Sequence, residues 1–85
     1  MKINDEKQEL YIIGEYIRMH RRKYGYSQEQ LAEDVNVSKM TISRIENGEN
    51  AMSILLFFQI LKVLAVPEKD ITEFIRNCHE EKDAT

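Results

Sequence analysis

Between Tyr26 and Phe57 the chain repeats one arrangement three times: an apolar residue, a serine, and a second apolar residue four positions after the serine. The sets are Tyr26–Ser27–Leu31, Val37–Ser38–Ile42 and Met52–Ser53–Phe57. A serine oxygen accepts from a free backbone N–H in the first turn of a helix, and the flanking apolar pair closes over it as a hydrophobic staple. Gln30, three residues after Ser27, completes a capping box. The three sets predict helices starting near residues 27, 38 and 53. The second helix then covers about 27–34, and only Asn36 and Val37 separate its end from the next cap. So tight a turn needs one residue in the left-handed region. Asn36 is the candidate, because Asn tolerates positive φ better than any residue but Gly.

The remaining elements follow from spacing. The third helix runs to about Glu46 and is stopped by Asn47-Gly48, and the fourth covers about 53–65. Pro67 opens a fifth, in which Ile71, Phe74, Ile75 and Cys78 fall at i, i+3, i+4 and i+7. At the front, Asn4 is a good cap, followed by Asp5 and Glu6 where the helix dipole favours acids. Leu10, Ile13, Ile17 and Tyr24 recur at helical spacing until Gly25 ends the run. Residues 1–9 are read as an N-terminal extension or the start of helix one, 10–66 as the main domain, 67–80 as the fifth helix and 81–85 as a flexible tail. The fold class is all-α with five helices. One Pro and three Gly in 85 residues agree with that, and 42% hydrophobic content suffices for one modest core.

Composition narrows the setting. A single cysteine cannot form an internal disulfide, so a reducing cytoplasm is expected. The N-terminus is polar where a signal peptide would be apolar. The most apolar stretch, residues 54–66, is too short to span a bilayer and is broken by Gln59 and Lys62, so no membrane role is expected. Net charge is -3, but it is unevenly spread: -2 over residues 1–17, +3 over 18–44 and -4 over 45–85. Attraction to phosphates depends on charge within a Debye length, about 8 Å, so the total is less informative than the middle segment.

In the third helix Ile42 and Ile45 face inward with Thr41 beside them, while Lys39, Met40, Ser43 and Arg44 take the opposite arc. An ordinary solvated face has the same pattern. An apolar Met40 on the wet side is unusual for one, and suits packing on a thymine methyl.

The stretch "IGEYIRMHRRKYGYSQEQLAEDVNVSKMTISRIENG" resembles the helix-turn-helix domain of the lambdoid phage repressors and Cro proteins. The likeness continues through "SILLFFQILKVLAV" and so covers roughly residues 12–66. It implies a five-helix, lambda-repressor-like DNA-binding domain with the third helix in the major groove. By that resemblance Gln28 contacts a phosphate. Lys39, Met40, Ser43 and Arg44 face base edges or flanking phosphates, joined by Ser38 and Thr41 at the start of their helix. The backbone near Asn47 meets phosphates of the other strand. The matching positions in those repressors form a partly buried ion pair, which here would be Arg21 with Glu46. For Arg22 and Lys23 two readings stay open: phosphate contact, or cations suited to the helix C-terminus. Three departures stand out. Asn36 replaces a usual Gly, His20 replaces a usual apolar residue, and Glu49 sits in a loop that is often basic.

Other functions find little support. There is no CxxC, HExxH or second cysteine, so no metal site is expected around His20, Cys78 or His79. No phosphate loop, nucleophile elbow or carboxylate pair points to an enzyme or a cofactor. Helix four is apolar around well over half its circumference, more than one small core requires. With helix five it suggests a homodimer interface built from Phe58, Ile71, Phe74 and Ile75. The leading expectation is a sequence-specific regulator of transcription, a repressor that binds double-stranded DNA as a homodimer. The alternative is an antitoxin-type module that neutralises a protein partner and also binds its own operator.

Overall fold

The computed structural model describes residues 5–83, with side chains for 6–77. Among the described residues five helices follow one another: α1 Asp5–Tyr24, α2 Gln28–Asp34, α3 Lys39–Glu46, α4 Ile54–Val63 and α5 Glu68–Asp83. Ser27, Ser38 and Ser53 are the N-caps of α2, α3 and α4, each accepting from the backbone N–H three residues on. Ser27 and Gln30 close the capping box, at 3.0 Å and 2.8 Å. The expected cap Asn4 lies outside the described residues, as do Ala84, Thr85 and the side chains of Cys78 and His79. Residues 5–9 are helical, so α1 starts before Leu10. Residues 81–83 continue α5, past the expected start of the tail.

The ends of the first four helices share one design. A residue with positive φ follows each: Gly25 at 87°, Asn36 at 61°, Gly48 at 76° and Ala65 at 53°. The residue after it bonds back five positions, as in Tyr26 to Arg21, Val37 to Ala32, Glu49 to Arg44 and Val66 to Leu61. This is the Schellman closure, which satisfies otherwise free carbonyls. It explains why the turn between α2 and α3 is so short. Val37 both closes α2 and is the apolar residue preceding the Ser38 cap. Ala65 was not foreseen as a stop, because alanine carries no sequence signal for that conformation. The fourth helix therefore ends earlier than expected, at Val63.

Inside, Ile17, Leu31, Ile42 and Ile60 are fully buried, with Ala32, Val35, Ile45, Leu61, Leu64, Val66 and Tyr16 around them. Burial of each large aliphatic side chain contributes about 1.5–3 kcal/mol. Tyr24, expected among the inward residues of α1, is exposed and meets Tyr26 edge-on at 5.1 Å. Tyr16 is buried instead. Gly14 lets α1 approach the end of α3: a Cβ there would stand 2.4 Å from the Ile45 carbonyl oxygen and 2.7 Å from that of Glu46. This close approach brings the C-terminal half of α1 beside Glu46 and Asn47.

Candidate nucleic-acid interface

Helix α3 has two distinct sides. Ile42, Ile45 and Glu46 are buried, and Lys39, Met40 and Arg44 are exposed, with Met40 59% accessible. Ser43 is half-buried on the margin of the exposed arc. Ser38 and Thr41 turn toward one another. The Thr41 N–H donates to Ser38 Oγ at 3.1 Å, and the two hydroxyls are 2.9 Å apart. They fasten the first turn of α3, next to Lys39 and Met40 in the chain.

The buried side is anchored by a carboxylate. Glu46 is fully buried, and Arg21 is 8% exposed. Arg21 Nε donates to Glu46 Oε2 at 2.6 Å and Nη2 donates to Oε1 at 3.1 Å. Gln28 Nε2 donates to the same Oε1 at 3.0 Å. Arg21 Nη1 reaches the Tyr26 carbonyl at 2.8 Å. A buried charge is tolerated only when it is paired and its lone pairs are filled, and this set of donors does both. The pair is buried more deeply than the partial burial expected. Through it α1, the start of α2 and the end of α3 meet at one carboxylate.

Gln28, expected at a phosphate, is half-buried with one amide hydrogen committed to Glu46, which leaves the second available. Arg22 and Lys23 are exposed at the C-terminal end of α1. Asn47 is exposed at the C-cap of α3, and its Oδ1 accepts from Arg18 Nη2 at 2.7 Å. Arg18 is the residue that sequence reasoning passed over. Nothing local in the sequence signals a partner 29 positions away.

The expected interface residues divide. Phe58 and Ile75 are exposed, with Ile54 and Leu55 exposed near Phe58 on α4. Ile71 and Phe74 are half-buried against the core. The Phe74 ring stacks on Tyr16 at 3.9 Å with an interplanar angle of 17°. Phe74, expected at a dimer interface, packs within one chain at the α1–α5 contact. His20 lies in the same place, buried and edge-on to Tyr16 at 4.5 Å. Burial holds its imidazole below the usual range, Lys23 adds to that, and Asp70 opposes it. Among the described residues no group of three His, Cys, Asp or Glu is placed to hold a metal ion. None of the described helices is long and apolar enough to cross a membrane.

Comparison with known proteins gives this geometry a family. Residues 17–71 match the model of a helix-turn-helix family. An uncharacterised helix-turn-helix transcriptional regulator of Bacillus subtilis, YgzD, is 39% identical over 51 residues, 60% of this chain and 77% of that protein. The control protein C.BamHI of Bacillus amyloliquefaciens is 35% identical over 74 residues, 84% of this chain and 91% of that protein. Longer regulators match as well, and this chain spans 40% of one of them. In fold, the chain is similar to the crystal structure of the restriction-modification controller protein C.AhdI of Aeromonas hydrophila. The TM-score is 0.67 at 23% identity, over 71% of this chain and 91% of that one. With a match over more than half its length and five helices in the expected order, the chain belongs to the Cro- and repressor-type helix-turn-helix family of DNA-binding transcriptional regulators.

Proposed function

We propose that the protein is a sequence-specific repressor that binds operator DNA as a homodimer, with α3 of each copy in the major groove. The observation that carries this is the sidedness of α3. Lys39, Met40 and Arg44 are exposed on a helix whose other side is locked by buried Ile42, Ile45 and Glu46. Lys and Arg at such positions donate to guanine O6 and N7, and Met40 suits a thymine methyl. The positive middle segment, +3 over residues 18–44, supplies attraction to phosphates, while the acidic remainder weakens binding to random DNA. Repression then needs no catalysis: an occupied operator blocks other proteins in a cytoplasmic setting.

A single unit of this kind offers few phosphate contacts, so two copies about a two-fold axis are needed for tight binding. The exposed apolar residues of α4 and α5, Leu55, Phe58 and Ile75 among them, are the surface we assign to that contact. Selection of bound sequences from a random duplex pool tests the reading. Enrichment of two inverted half-sites about 10 base pairs apart, centre to centre, is the expected result. A pool that stays random would overturn sequence-specific binding. An enriched single half-site would overturn the dimer.

A further inference from the structure

All three guanidinium nitrogens of Arg18 have partners, one within α1 and two at the end of α3. Nη1 donates to Glu15 Oε2 at 2.9 Å, Nη2 donates to Asn47 Oδ1 at 2.7 Å, and Nε stands 3.5 Å from Glu46 Oε1. A guanidinium has donors only. The Asn47 amide must therefore turn its carbonyl oxygen toward Arg18 and its NH2 group away from it. Asn47 is exposed at the C-cap of α3, beside the arc that carries Arg44, so the NH2 group faces outward. A freely rotating asparagine would present oxygen as readily as nitrogen. A phosphate accepts hydrogen bonds and repels oxygen, so only one of the two orientations is useful to DNA.

We propose that Arg18 is a positioning residue: it holds the Asn47 side chain with its donor face outward, ready for a DNA phosphate, without itself touching the DNA. The inference rests on the DNA-binding reading above and deepens it. Arg18 is fixed in turn by Glu15 and Glu46, so the orientation of Asn47 is set before DNA arrives. Affinity is then not reduced by the ordering of that side chain on binding.

The test measures affinity for the duplex enriched from the random pool, at fixed salt, together with the thermal midpoint of each variant. Arg18→Met and Asn47→Ala should each weaken binding about 10-fold, the size expected for a hydrogen bond to a charged group. The double variant should bind no worse than the weaker single one. Arg18→Lys, which keeps the charge and a donor, should recover part of the loss. Asn47→Asp is the sharpest arm. It keeps an acceptor for Arg18, so the thermal midpoint should hold or rise, yet it turns an oxygen outward and should bind DNA worse than Asn47→Ala. If Arg18→Met fails to fold, Arg18→Gln, which removes the charge but keeps a donor, takes its place in the cycle with Asn47→Ala. Losses that multiply in the double variant would show Arg18 acting on its own and overturn the proposal. So would wild-type affinity in Arg18→Met or in Asn47→Asp. Those outcomes, with Lys39→Ala still impaired, leave the DNA reading standing. A wild-type protein that enriches no duplex overturns both.

Discussion

Among the described residues two other than glycine hold positive φ, Asn36 at 61° and Ala65 at 53°, and each closes a helix. An L-residue in this region costs about 1–2 kcal/mol, less for Asn. Asn36→Gly is therefore expected to be neutral or slightly stabilising, and Ala65→Gly to stabilise by up to about 1 kcal/mol after the larger chain entropy of Gly is subtracted. Asn36→Val should destabilise by about 1–3 kcal/mol, because a β-branched residue is strained there. Urea titration of the three variants checks these signs, and a tolerated valine would mean that the turn relaxes to another form. Glu46 is the other decisive residue. Glu46→Ala leaves Arg21 charged and buried without its partner, at a cost of about 3–5 kcal/mol. Pairing Arg21→Met with Glu46→Leu should recover only part of that loss. Gln28 and Arg18 also face Glu46, and both would lose it. An unchanged melting temperature in Glu46→Ala would contradict the buried network.

At the scale of elements, α1 and α5 meet through aromatic rings. Tyr16, His20 and Phe74 pack together there, and Tyr16 Oη is buried with no hydrogen-bond partner among the described residues. Burial raises the Tyr16 phenol above its usual range, and Asp70 adds to the effect. His20 is depressed from its ordinary 6.5, so the folded state holds it neutral where the unfolded chain takes up a proton. Its contribution is fully present above about pH 6.5 and is lost as pH falls through the folded-state value. Carboxylates contribute to the same acid limb, so the comparison is with His20→Phe, whose stability should fall less over that window. Equal slopes in the two proteins would contradict the buried neutral imidazole. The stack also changes what a substitution in α5 tests. Phe74→Asp should loosen α5 from α1, whereas Ile75→Asp should leave the fold intact and act only on association. Sedimentation and circular dichroism on both variants separate the two effects. A folded Ile75→Asp protein that remains as associated as the wild type would remove Ile75 from the interface.

Helix starts were legible because a serine between two apolar residues is a local device, and local devices survive in a one-dimensional reading. The turn at Asn36 was legible for the same reason. The stop at Ala65 was not, since alanine gives no sign of the left-handed conformation that the Leu61–Val66 closure imposes on it. Spacing alone could not tell that Tyr16, rather than Tyr24, would be covered, because that depends on how α5 lies across α1. The Arg18–Asn47 bond was hidden by sequence distance. It exists because Gly14 lets α1 close on the end of α3.

On the scale of the whole molecule, charge and shape serve one arrangement. The basic middle segment contains α3, and apolar residues of α4 and α5 are left exposed, the surface proposed above for a second copy. The account stands on α3 reading bases rather than merely resting on phosphates. The most direct measurement is the affinity of Lys39→Ala and Arg44→Ala for the enriched duplex and for random DNA, at one salt concentration. A lost base contact should cost about 1–3 kcal/mol on the enriched duplex and much less on random DNA. Equal losses on the two DNAs would mean that these side chains touch phosphates only, and would contradict the claim that α3 carries the specificity.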